Sequence, residues 1–478
     1  MNSINKDILK LAVPSILANI TVPLVGMVDI AIAGHLEKTA AAVLIGGITV
    51  GSMIFDLLYW SFGFLRVGTG GLTAQACGKG DMKASADIFS RAILISAIAG
   101  TILIALQWAV TDFVFLFIKC SPEVRTLAMR YFFIRIWAAP ATLSLMAFKG
   151  WFIGMQDGVS PMASDLIINI VNIISSLALA LGFDIGPADF GPLQFHGLSF
   201  KGIGYDGVAY GTVIAQYTGL LFVSAVMIFK YGKKIFGRYS LQDAFRSLSD
   251  RNSGEFFKLN ADLIIRSLCF IGIYIGYTII SANYGDLMLA SSSIIMKLLM
   301  IFSFFTDGFS YAGEALTGRY IGMNNKDMTK KTISHVFLWS IGVAAIFIAV
   351  YGAIGMPLLR IMTSDESVLK AAGQFLPWLP AMPLIGCAAF TWDGIYIGAT
   401  ASKAIRNVSV LAVIAFFAVW FTGSSLLSAY GNSVNLSQTR HEAIAIHILM
   451  AAYFAHLLVR TLYQSIKYKK EILVNPFK

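Results

Sequence analysis

Asp29 is a carboxylate in an apolar setting, the run Val25-Gly-Met-Val-Asp29-Ile-Ala-Ile-Ala-Gly34. A charge inside a membrane span costs roughly 2.5–3.5 kcal/mol on insertion scales, and such residues persist where they bind a proton, an ion or a charged substrate. Desolvation favours a neutral acid and a nearby cation favours the anion. A proton-exchanging site must pass between those two states. The plainer reading is a span-end aspartate, eight residues before Glu37. Pro14 and Pro23 precede Asp29 by fifteen and six residues; each removes a helical hydrogen bond and permits a kink.

Further along, Asp165, Asn169, Asn172 and Ser176 follow one another at steps of four, three and four, which places them on one helical face. Such a stripe must face protein or water rather than lipid. Asn172 and Ser176 are expected to hydrogen-bond Asp29 or help hold a cation, with Thr212 adding a hydroxyl. Against this stands the reading that these groups only join helices. Asp165, close to Pro161, is expected to act as a helix-end partner. In the second half Asp307 and Glu314 are seven residues apart and Asp393 follows, with Lys297 and Arg406 as expected counter-ions. A structural ion-pair network competes with a functional one here. Asp262 and Arg266, at i and i+4, read as a local pair. Arg66 and Asp56 read as similar internal partners without an assigned role.

Catalysis finds little support. His35, His196, His335, His441, His447 and His456 are scattered, and no HExxH, Walker or GxSxG pattern occurs. That argues against an enzyme and against an ATP-driven pump. Cys77, Cys120, Cys269 and Cys387 form no metal-binding pattern and read as small apolar fillers. Neither a metal nor a cofactor is expected.

These residues need helices to hold them. Of the 478 residues 57% are hydrophobic and only 13% charged, with mean hydropathy +0.73, about half the charge of a soluble domain. Apolar runs near 8–34, 42–77, 84–118, 123–154, 161–183, 205–230, 255–283, 286–321, 328–356, 367–399, 403–430 and 441–466 are long enough to cross a bilayer. The expected fold class is an all-α polytopic membrane protein with twelve transmembrane helices. Lys6 and Lys10 before the first run resemble a signal peptide, but no cleavage site follows, so the run is expected to remain as the first span. The net charge of +10 sits mostly in loops, which suits membrane orientation and not nucleic-acid binding. Lys230, Lys233, Lys234, Arg238, Arg246 and Arg251 crowd the link after the sixth span, and Lys326, Lys330 and Lys331 follow the eighth. Both termini are therefore expected to be cytoplasmic. The link 184–204, rich in glycine and proline, is expected outside as a lid or ordered loop.

Self-comparison finds a duplication. Leu72-Thr73 and Gly78 recur 244 residues on as Leu316-Thr317 and Gly322, and Gly63-Phe64 recurs at 245 as Gly308-Phe309. The 244 offset also carries Gly150, Ile153 and Gly154 onto Gly394, Ile397 and Gly398, with Phe152 becoming Tyr396. It pairs Lys149 with Asp393, opposite charges that suggest different jobs for the halves. Two pseudo-symmetric six-helix bundles around a central cleft are expected: a lobe over 1–230, a cytoplasmic linker over 231–254 and a lobe over 255–478. Six spans per half keep both copies in one orientation, a geometry suited to alternating access. The aromatic and methionine content fits a cleft for flat apolar cations and fits ordinary helix packing equally well.

The stretch Met-Val-Asp29-Ile-Ala-Ile-Ala-Gly-His-Leu after Pro14, the run Phe62-Gly-Phe-Leu-Arg-Val-Gly-Thr-Gly-Gly-Leu-Thr-Ala-Gln-Ala76, Asp307-Gly-Phe with Glu314-Ala-Leu, and Asp393-Gly-Ile-Tyr-Ile-Gly-Ala-Thr400 resemble the multidrug and toxic compound extrusion (MATE) transporters, more narrowly their bacterial DinF branch. The resemblance covers essentially the whole chain. It implies efflux of organic cations or other amphipathic compounds by a multi-pass protein of the bacterial inner membrane, in exchange for protons or sodium, with membrane lipids as surroundings and a monomer as the working unit. The family's coupling carboxylate falls on Asp29, its kink proline on Pro14, its fifth-span asparagine on Asn172 and its sixth-span threonine on Thr212. An aspartate is frequent in the family where this chain has Ser176. A hard cation prefers several oxygen ligands including carboxylates, so proton coupling is the expectation. A flippase for lipid or polysaccharide precursors is the alternative; it would want a basic cleft, for which Lys149 and Arg66 are available.

Overall fold

In lipid every backbone N–H and C=O must be paired within its own segment, so these long apolar runs fold as helices. The computed structural model describes residues 3–36, 41–116, 118, 120–185, 188–189, 194–195, 198–232, 253–363, 365–434 and 437–477. Most of the linker 231–254 lies outside the described residues, with Lys233, Lys234, Arg238, Arg246 and Arg251; so do Glu37 and His196.

The first half comprises α1 (Ser3–Leu36), α2 (Ala41–Ser61), α3 (Phe64–Lys79), α4 (Met82–Ala105), α5 (Gln107–Phe115), α6 (Pro122–Arg135), α7 (Ala139–Gly154), α8 (Val159–Leu181) and α9 (Tyr205–Val226). The second comprises α10 (Ser253–Ala282), α11 (Asp286–Gly322), α12 (Lys326–Met362), α13 (Glu366–Gly373), α14 (Trp378–Gly398), α15 (Ser402–Val434) and α16 (Gln438–Leu473). Among the described residues eleven helices are long and apolar enough to cross a membrane, and α13 with α14, bent by 55°, completes a twelfth. The twelve-span expectation holds, in two pseudo-symmetric bundles.

Three details differ from expectation. The third span does not run to 118: it ends at Ala105, and α5 restarts after Leu106. The ninth continues past 356 through Pro357 to Met362, with Ile354 (φ −123, ψ 22) absorbing the proline's missing hydrogen bond. The link 184–204 is not all loop. Antiparallel strands β1 (Gly182–Ile185) and β4 (Leu198–Lys201) enclose a shorter pair, β2 (Ala188–Asp189) with β3 (Gln194–Phe195). Phe183 and Phe200, directly opposite on β1 and β4, stack at 5.8 Å.

The 244-residue repeat returns as packing. Gly150 lies against the Arg66 carbonyl and Gly394 against the Ser310 carbonyl, positions 66 and 310 being one offset apart. Gly154 meets the Gly70 carbonyl and Gly398 the Glu314 carbonyl, again one offset apart. At each of these places a Cβ would strike backbone, so α7 on α3 and α14 on α11 cross as closely as two backbones allow. Left-handed residues follow suit: Gly80 (φ 70) with Asn324 (φ 54), and Gln156 (φ 65) with Thr400 (φ 52). Between the halves the contact is reciprocal, Gly78 on the Arg319 carbonyl and Gly322 on the Gln75 carbonyl.

The start of α1 is a shared element. Ile4, Ile8, Leu11 and Ala12 are buried in one cluster with Ile153 of the first half and Phe309, Leu316 and Val336 of the second. Of the other cores, one lies within the second half around Phe302, Phe375 and Phe416, one joins the halves, packing Phe55, Phe64 and Phe132 with Leu263, Trp392 and Tyr396, and a smaller one sits in the first around Trp151 and Phe152.

Candidate functional site

Asp29 is positioned by a parallel pairing of α1 with α8. Their contacts climb in step: Gly158 against the Lys10 and Leu11 backbone, Asn169 Nδ2 donating to Thr21 Oγ1 at 2.6 Å, and Asp29 facing the Ser176 hydroxyl. Lys10 is the residue whose carbonyl Pro14 leaves without its helical donor, and α8 packs on it there. Helix α1 nevertheless runs unbroken through Pro14 and Pro23. On its other side α8 meets α9 closely because Gly207 and Gly211 present no side chain, Gly211 lying on Ser176. That approach lets Asn172 Nδ2 donate to Thr212 Oγ1 at 3.0 Å, while Ser176 Oγ donates to the Val208 carbonyl at 3.4 Å.

Asp29, Asn172, Ser176 and Thr212 are all buried. Within this group two oxygens stand apart, Asp29 Oδ1 and Asn172 Oδ1, each without a hydrogen-bond partner among the described residues. Buried polar atoms are satisfied in the large majority of cases, and an exception signals strain, function or a missing proton or ion. Both exceptions are acceptors, so the arrangement can take a proton or a small cation.

A residue absent from the sequence reading completes the electrostatics. Arg135, the last residue of α6, lies in the fields of both Asp29 and Asp56. Its guanidinium donates to Tyr131 Oη at 3.0 Å and Ser52 Oγ at 3.3 Å and sits 4.8 Å over the Phe55 ring. It forms no direct ion pair with either acid among the described residues. Its signal in the sequence is the one that marks Asp29, a charge within an apolar span.

Several expected pairings are replaced. Asp165 is not a mere helix-end partner; it accepts from Lys149 Nζ at 2.7 Å. Lys297 is exposed and makes no ion pair among the described residues. Glu314 is paired instead with Arg66 from the other half, at 3.2 Å; Gly70, its repeat counterpart, leaves the space its carboxylate fills. Asp393 accepts from Arg266 at 2.9 Å, Arg460 at 2.7 Å and Gln464 at 3.1 Å. Arg406 goes to Asp262 at 2.8 Å, so the local Asp262–Arg266 pair does not form. Tertiary partners win because two charge pairs satisfy more donors than one i,i+4 contact. Asp307 lies in the combined field of Arg66, Arg266 and Arg460.

Asp157, in the turn between α7 and α8, was also missed. Burial favours its neutral form, but hydrogen bonds from Lys230 (2.7 Å), Ser160 (2.6 Å) and Tyr231 (2.9 Å) outweigh it and hold the carboxyl below the usual range. It pins the turn to the π-helical segment Met227–Tyr231 that continues α9.

The pattern that defines the MatE family matches residues 14–177 and 263–415. "DNA damage-inducible protein F" of Escherichia coli (strain K12) is 29% identical over 454 residues, covering 92% of this chain and 93% of its own. "Probable multidrug resistance protein NorM" of Thermotoga maritima is 24% identical over 421 residues, 87% of this chain and 83% of its own. A structure described as the outward-facing conformation of a multidrug resistance MATE family transporter superposes with TM-score 0.79 at 14% identity, over 98% of this chain and 97% of the other. Relatives described as multidrug resistance proteins do not favour the flippase alternative.

Proposed function

The chain belongs to the MatE family of multi-pass membrane transporters, and from that premise we propose that it exports organic cations or other amphipathic small molecules in exchange for protons. The observation that carries this reading is the buried Asp29, whose Oδ1 has no hydrogen-bond partner among the described residues. A proton entering from outside neutralises the carboxylate, the network of Asn172, Ser176 and Thr212 rearranges around it, and substrate leaves; return to the inward-open state delivers the proton to the cytoplasm. One pH unit supplies about 1.4 kcal/mol per proton and 100 mV about 2.3 kcal/mol per charge moved, enough for one or two protons to sustain a steep substrate gradient.

Two features support protons over sodium. Ser176 offers a hydroxyl where a second carboxylate would strengthen a hard-cation site, and Arg135 already places a fixed positive charge in the field of Asp29. The moving bodies in this reading are the lobes 1–230 and 255–478, joined through 231–254. Contacts of α1 with the second lobe run from Asn5–Trp339 to Asn19–Phe304, on the terminal side of Asp29. With both termini cytoplasmic, such contacts suit a state closed toward the cytoplasm. The setting proposed is the inner membrane of a bacterium.

The test is uptake of a fluorescent organic cation into proteoliposomes under a pH gradient and, separately, a sodium gradient. Uptake driven by pH alone and abolished by Asp29→Asn, in protein that still inserts and elutes normally, is expected. Normal driven export by Asp29→Asn would sink the coupling role, and drive by sodium alone would replace the proton.

A further inference from the structure

At the end of the molecule that carries the termini, a groove of about 960 Å³ opens between the start of α12 and the last turns of α16. That lies at the upper end of the roughly 300–1,000 Å³ typical of small-molecule sites. Its floor is Trp392 of α14, braced edge-on by Phe337 at 4.7 Å and satisfied through its indole N–H by Ser465 Oγ at 2.9 Å. The chemistry changes along the groove. On α12 the residues at steps of four are Lys326, Lys330, Ser334 and Leu338, so one row runs from cationic to polar to apolar, with Ile333 and Ile341 beside its apolar part. Across from the first lysines stands Lys469 of α16. Among the described residues no Asp or Glu lines the groove, and none of these three exposed lysines is in an ion pair.

We propose that this groove binds one anionic phospholipid, its phosphate held by Lys326, Lys330 and Lys469 and an acyl chain lying along Phe337, Leu338 and Ile341. The charge is complementary, since three lysines without an ion-pair partner among the described residues line one groove beside the N-terminus of α12. The length fits too: from Lys330 to Ile341 is eleven residues, about 16 Å of helix, which is one leaflet's share of a hydrocarbon core roughly 30 Å thick. Because a lipid is both anionic and long, it matches the gradient along the row as a free phosphate does not. A lipid seated there covers Trp392, which packs on Tyr468 at 5.1 Å, and so ties α16 to α12 through α14. The proposal is independent of the exported substrate and of the coupling ion.

The experiment uses the full chain, delipidated in detergent, and counts retained lipid by native mass spectrometry during titration with phosphatidylglycerol or phosphatidylcholine. One tightly held phosphatidylglycerol is expected, with phosphatidylcholine held far more weakly. The triple variant Lys326→Gln, Lys330→Gln, Lys469→Gln is expected to lose about tenfold or more in affinity for it. All three lysines are exposed, so the variant's thermal unfolding without lipid should match the parent and exclude misfolding. Ser334→Trp, which narrows the groove and keeps every lysine, should weaken retention as well. Equal retention of phosphatidylcholine, an unchanged triple variant, or an unaffected Ser334→Trp protein would each overturn the site. So would displacement of the lipid by glycerol phosphate at matched concentration, which would mean that only the phosphate is read.

Discussion

Ser176 presents a hydroxyl to Asp29 at the position where a carboxylate would turn one buried acid into two. Two acids repel a shared second charge and invite either a bound cation or a trapped proton. On the proton-coupled reading, Ser176→Asp is therefore expected to make uptake respond to a sodium gradient where the parent does not, read in the same proteoliposomes; an unaltered response to pH alone would mean that the Arg135 field, and not ligand number, sets ion choice. At this scale the sequence was legible wherever one residue broke an apolar run, as Asp29 does. Arg135 obeys the same rule and was passed over because it ends a helix already rich in charge, with Arg125 and Arg130 before it. Partners were far less legible. Nothing local connects Arg66 to Glu314 or Arg460 to Asp393, since the contacts that bring them together join different helices.

Helices were the easiest elements to anticipate, because bilayer thickness imposes their length and the cost of unpaired backbone imposes their type. The misses have local causes. A helix can run on past proline when a neighbouring residue takes up the distortion, as Ile354 does before Pro357, and a segment dense in glycine and proline can still pair as β1 with β4. The glycine crossings carry their own expectation. Adding a methyl at Gly78 or at Gly322 drives it into backbone of the opposite helix. Gly78→Ala and Gly322→Ala should each lower stability by about 1–3 kcal/mol, the usual range for overpacking, in thermal unfolding of the purified protein. The two losses should be similar, because the contacts are each other's repeat counterparts. A marked inequality would show that the pseudo-symmetry does not extend to energetics.

Across the whole molecule, the Arg66–Glu314 pair is a charged fastening between halves. Glu314 is fully buried, so removing its charge leaves Arg66 uncompensated, a loss of about 3–5 kcal/mol for a buried pair. In a protein with Cys120, Cys269 and Cys387 replaced by Ala, Cys77 reports on the neighbouring junction at Gly78. Glu314→Gln is expected to raise its maleimide labelling rate several-fold, as the closed junction becomes less populated; an unchanged rate would place the pair outside the opening step. That junction has a further meaning. Gly78 rests on the Arg319 carbonyl and Gly322 on the Gln75 carbonyl, each half offering the other the same surface. Between separate identical subunits such reciprocity is isologous association about a two-fold axis. The chain is in this sense a homodimer written as one polypeptide. A true homodimer must make every change twice, whereas here a glycine stands at position 70 and a glutamate at 314, and only that freedom lets one partner donate the space and the other the charge.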